Sequence, residues 1–113
     1  MHPPEDTVID ALGRRRHFHG TPRKCALAIQ RSCFVRRGSC FGLAFCTAAK
    51  YASSVYPDDD PVVMEIWLRH DQFDGTMTKR ENFWLRDTTH LTGWNKGRIH
   101  EMAALGEFCP HAV

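Results

Sequence analysis

The chain has 113 residues, 42% of them hydrophobic and 25% charged, an ordinary globular balance for one compact domain. No stretch of 18 apolar residues occurs, which excludes a membrane-spanning helix. The net charge of +2 is unevenly shared: residues 1–50 hold nine Lys/Arg against three Asp/Glu, and residues 51–113 hold six against ten, giving +6 and −4. A basic half attracts phosphates, although the two halves can equally neutralise each other across one fold.

Residues 1–6 are expected as a loose arm, and Thr7 to Leu12 as one short helical stretch ended by Gly13. Residues 1–13 then form an arm ahead of a single compact domain over 14–113. The start Met1-His2-Pro3-Pro4-Glu5-Asp6 lacks the charged and apolar runs of a signal peptide. Together with five cysteines, an odd count, this points to free thiols in an intracellular compartment, cytoplasmic or nuclear.

After the basic run Arg14-Arg15-Arg16, His17-Phe18-His19 alternates as a short strand into a turn at Gly20. Thr21-Pro22 is a good helix start, with threonine as cap and proline at the first helical position. Apolar Cys25, Ala28, Ile29 and Cys33 keep helical spacing, which predicts a helix over 22–31. Gly38 to Gly42 forms a glycine-flanked loop, and Leu43 to Cys46 is an apolar run of buried-strand type. Thr47 can cap a second helix over 48–55, stopped by Pro57-Asp58-Asp59-Asp60-Pro61.

Val62 to Arg69 alternates most clearly, with Val62, Met64, Ile66 and Leu68 on one face and Val63, Glu65, Trp67 and Arg69 on the other. A turn and loop follow to Arg80, with Asp74-Gly75 at the tip. Asn82 to Arg86 is a candidate strand, Thr88 to Gly97 is turn-rich, and strands are expected over 98–105 and 108–113. This order suits α+β with a split antiparallel sheet and two short helices in the N-terminal half.

The ordered set of motifs carries more weight than any single piece. His19-Gly20-Thr21 precedes a helix, then come Gly38-Ser39-x-Phe41-Gly42-x-Ala44-Phe45, Ala49-x-Tyr51-Ala52 and the strand Val62-Val63-Met64-Glu65-Ile66. Over residues 16–69 this pattern resembles the ADP-ribosyltransferase superfamily, in particular poly(ADP-ribose) polymerase-like and small bacterial domains. The resemblance implies an ADP-ribosyltransferase-like fold and NAD as substrate. It implies that His19 donates a hydrogen bond to a ribose hydroxyl and that Gly20 offers backbone groups to the nicotinamide carboxamide. Glycine permits that close approach. It further implies that Thr21 caps the helix and touches the same ribose, and that Tyr51 stacks on the nicotinamide ring. Phe45, with Ala44 as the alternative, stands where many relatives carry a second tyrosine at the cofactor pocket, a departure that implies a different pocket wall.

The implied reaction is mono-ADP-ribosyl transfer to a protein or nucleic-acid acceptor, of a toxin or effector type. Positive charge builds on the ribose in the transition state, so a carboxylate is needed nearby. Glu101 fits best, in Ile99-His100-Glu101-Met102-Ala103, Glu107 is second, and Glu65 comes early in the chain order. Without a carboxylate the domain would be an inactive binding module. RNA 2'-phosphotransferases share the architecture and also use NAD, but their basic set does not map here.

Three other constellations compete. Cys33, Cys40, Cys46, Cys109 and His111 are soft metal ligands, but their spacings lack the tight pairs of structural zinc sites. A cysteine nucleophile with a histidine base is available in kind, though no flanking pattern singles out a pair. The basic stretch from Arg14 to Lys24, with Trp67, Trp84 and Trp94 as stacking platforms, offers a nucleic-acid site.

Overall fold

The computed structural model describes residues 9–74 and 82–108. Thr7, Gly75, Cys109, His111 and most of the expected terminal strand lie outside these residues. Eight strands are described: β1 (Arg15–Pro22), β2 (Phe34–Val35), β3 (Cys40–Gly42), β4 (Pro61–Leu68), β5 (Phe73–Asp74), β6 (Asn82–Leu85), β7 (Thr89–His90) and β8 (Arg98–His100). The helices are α1 (Arg23–Ser32), α2 (Phe45–Val55) and α3 (Leu105–Phe108), with short 3-10 turns at His70–Gln72 and Met102–Ala104.

The fold is mixed α+β. A six-stranded antiparallel sheet has the order β5-β6-β3-β1-β4-β8, and β2 pairs with β7 in a separate two-stranded sheet. β4 lies inside the sheet, between β1 and β8, and both its faces are covered, which explains its long apolar run. Val62, Met64, Ile66 and Leu68 join Ala26 of α1, Phe41, Phe73 and Phe83 in one core cluster. On the opposite face Val63 packs with Phe18 and with Phe45, Ala48 and Ala49 of α2. A strand covered on both faces has no need of a polar side. Where β4 outruns β8, buried Asn95 takes over the ladder. Its Oδ1 accepts from the Trp67 amide at 2.8 Å and its Nδ2 donates to the Trp67 carbonyl at 2.7 Å. Buried backbone groups are thereby satisfied.

Several expectations need correction. Within the described part of the expected first helix, Ile9 bridges to Arg15 and a turn follows. Gly20 is not a turn, since β1 continues through Thr21 and Pro22 in register with Val62 and Pro61. Thr21 therefore caps nothing, and no side chain caps α1. The buried face of α1 runs through Ala26 and Ile29, while Cys25 and Ala28 face solvent. The Leu43–Cys46 run is no strand, because helix α2 begins at Phe45, with Ala44 rather than Thr47 ahead of it. Short apolar runs fit either state, and here the i, i+3, i+4, i+7 set Phe45, Ala48, Ala49, Ala52 decides for helix. The expected late strand stops at His100, and Leu105–Phe108 is helical.

Candidate functional site

Four small residues set the geometry of the site. Ala48, Ala49 and Ala52 give α2 a low face, and Gly20 receives it. A Cβ at Gly20 would lie 2.2 Å from the Ala48 carbonyl oxygen and 2.9 Å from the Ala52 Cβ. Gly20 is thus required by helix-on-strand packing, a reason independent of any ligand. The close approach brings the exposed flank of α2, with Tyr51, beside the end of β1.

A cavity of about 370 Å³ opens there, lined by His19, Gly20, Cys40, Tyr51, Tyr56 and Trp84. Arg36 and Arg37, followed by Gly38 and Ser39, complete its wall. Its size falls in the range of small-molecule sites. Tyr51 is 44% exposed, and its ring meets that of Tyr56 edge-on at 6.2 Å. Burial, then the neighbouring Tyr56, pushes the Tyr51 hydroxyl above its ordinary pKa, so it stays protonated as a donor.

His19 Nδ1 lies 2.7 Å from the Cys40 carbonyl. A carbonyl oxygen only accepts, so Nδ1 carries the proton. Burial lowers the His19 pKa against the opposing effect of that bond. The neutral ring then leaves Nε2 as an acceptor. An acceptor at Nε2 is the opposite of the donor role that the resemblance implies for His19. The Cys40 thiol is pushed up by burial, which disfavours a thiolate nucleophile at the cavity.

Of the residues expected at the site, His19, Gly20 and Tyr51 come together. Thr21 is buried on the β4 ladder and does not line the cavity. Phe45 is 2% exposed, stacked on Phe108 at 4.5 Å and edge-on to Phe18 at 5.5 Å, so it belongs to the core behind the sheet. Arg36, Arg37 and Tyr56 were not anticipated. The paired arginines just before the Gly38 turn were the available signal.

The carboxylates lie elsewhere. Both Glu101 oxygens accept from Arg23 Nη2, at 2.5 and 2.6 Å, and Arg23 Nε also donates to Asp60 at 2.6 Å. Glu101 follows β8, two strands from β1 on the side away from β3. Glu65 Oε1 pairs with His100 Nε2 at 3.1 Å, and its Oε2 accepts from Trp67 Nε1 at 3.0 Å. Burial raises the Glu65 pKa, but these bonds and the charges of His100 and Arg16 outweigh it and hold it below the ordinary value. Glu107 is exposed on α3. Among the described residues no carboxylate lines the cavity.

The expected nucleic-acid stretch is largely engaged internally. Arg14 pairs with Asp10 at 2.7 Å and lies over Trp94, Arg16 lies over Phe18 and Phe108, and Trp67 is buried. Cys25, Cys33, Cys40 and Cys46 are free, and no group of three or more metal-ligating side chains gathers among the described residues. No described helix is long and apolar enough to cross a membrane. Comparison with protein-family models, with curated proteins and with solved structures found no match for this chain.

Proposed function

We propose that the chain is a small ADP-ribosyltransferase-like domain that binds NAD in the His19–Tyr51 cavity and transfers ADP-ribose to a protein or nucleic-acid acceptor. One observation carries the proposal: His19, Gly20 and Tyr51, singled out by resemblance, share one cavity although Tyr51 is far from the other two in sequence. Tyr51 and Tyr56 offer faces to a planar ring, and His19 Nε2 accepts from a ribose hydroxyl. Arg36 and Arg37 have no carboxylate partner among the described residues, which suits a ligand carrying phosphates. In the reaction the bond between nicotinamide and the ribose anomeric carbon breaks. Nicotinamide leaves with the bonding pair as a neutral base. A lone pair of the acceptor forms the new bond, and the acceptor's proton passes to solvent.

A second reading, an NAD-binding module without turnover, is favoured by Glu101 being held by Arg23 and by the lack of a carboxylate among the described lining residues. Nicotinamide release from labelled NAD separates the two. Release that persists in Glu101→Gln removes Glu101 from the reaction. Tight NAD binding without release leaves the module.

A further inference from the structure

The two-stranded sheet β2–β7 turns two aromatic rings outward beside the cavity. Phe34 and His90 face each other across the strand pair, with ring centroids 4.8 Å apart and 37° between planes. Phe34 is 48% exposed, and His90 is exposed as well. β2 runs directly into Arg36 and Arg37. Val35 is buried, so Phe34 and Arg36 share the outer side of the chain. Arg31 is exposed in the last turn of α1, three residues before Phe34. Among the described residues Arg31, Arg36 and Arg37 have no ion-pair partner, whereas Arg14, Arg23 and Arg69 do. Arg36 and Arg37 also line the cavity with Trp84, so cations and aromatic faces continue from the cavity mouth to the Phe34–His90 pair.

We propose that this surface docks single-stranded nucleic acid and leads it to the cavity. Unpaired bases stack on exposed aromatic faces, and arginines neutralise the phosphates between them. A duplex hides its base faces and would use the arginines alone. An acidic peptide would do the same and leave Phe34 and His90 unused. Asp87 is exposed beside β7 and repels phosphate there, so the strand runs along the arginine side. The inference rests on the proposed function for its purpose, since it names the acceptor's class, but the docking step requires no NAD.

Fluorescence anisotropy on the whole chain, without NAD, tests it. The probes are a labelled single-stranded DNA, a single-stranded RNA, a duplex of the same sequence and polyglutamate. At least one single strand binds, with affinity falling as salt rises, and the duplex and polyglutamate bind about tenfold more weakly or worse. Phe34→Ala and Arg37→Gln each weaken single-strand binding about tenfold, in variants whose melting curves still show a cooperative folded state. No single-strand binding, equal binding of the duplex or polyglutamate, or no loss in Phe34→Ala overturns the inference. NAD binding without oligonucleotide binding removes only this surface. Oligonucleotide binding through Phe34 without NAD binding removes only the cavity proposal.

Discussion

The two flanks of β1 treat their polar groups in opposite ways. Toward β4 and β8, Glu65 is held by His100 and Trp67, and Glu101 by Arg23. Toward β3 the groups stay open: His19 uses one ring nitrogen, Tyr51 shows its ring to solvent, and Arg36 and Arg37 lack carboxylate partners among the described residues. A charge satisfied by a neighbour must lose that neighbour before it serves a ligand. The first flank therefore fastens the fold, and the second is available for binding. Glu101, attractive by its late position in the chain, lies on the fastened side.

The contrast is broken most severely at Gly20, where the flanks share a backbone. Gly20→Val should cost about 3 kcal/mol, because side-chain atoms enter space held by the Ala48 carbonyl. Thermal melts should show the loss, and NAD binding should fall with it as α2 shifts Tyr51.

A second effect of similar size follows from His17, which is fully buried among Phe41, Phe73 and Phe83. Its Nδ1 donates to the Arg15 carbonyl at 2.8 Å, and its Nε2 has no partner among the described residues. Burial lowers its pKa from 6.5 to about 4. The folded state favours the neutral ring, so stability is complete above pH 6.5 and falls as pH drops toward 4, by about 3 kcal/mol. Denaturant midpoints measured across this window should show the slope, and His17→Leu should flatten it. Glu65 acts lower on the scale. Its pKa is depressed, so its contribution is present above the ordinary carboxylate value and is lost as pH falls through the folded one. A profile of His17→Leu should retain that acid limb, which Glu65→Gln should remove.

Smaller effects separate the flanks directly. Tyr51→Ala should weaken NAD binding about tenfold while moving the melting temperature little, because the ring is largely outside the core. Glu101→Gln should leave NAD affinity unchanged and cost less than about 1 kcal/mol in a denaturant titration, as expected for an exposed ion pair. A clear loss of NAD affinity in Glu101→Gln would erase the distinction between the flanks.

Local patterns made part of this legible. The alternation over residues 62–69 located β4, and the triplet at His19 with Tyr51 located the cavity. What escaped the sequence depended on distant partners. Arg23 and Glu101 are separated by 78 positions, so nothing near Glu101 signals that it is engaged. Phe45 appeared to be a pocket wall until the helix start was fixed by its packing on Phe18 and Phe108. Nothing local to Arg36 and Arg37 relates them to Tyr51 and Tyr56, and only the fold brings all four to one cavity.

The most direct test of the account is calorimetric titration of NAD into the wild-type chain and Tyr51→Ala. Saturable heat in the wild type and an affinity about tenfold lower in the variant are predicted. No heat at millimolar NAD, or identical isotherms for the two proteins, would contradict it.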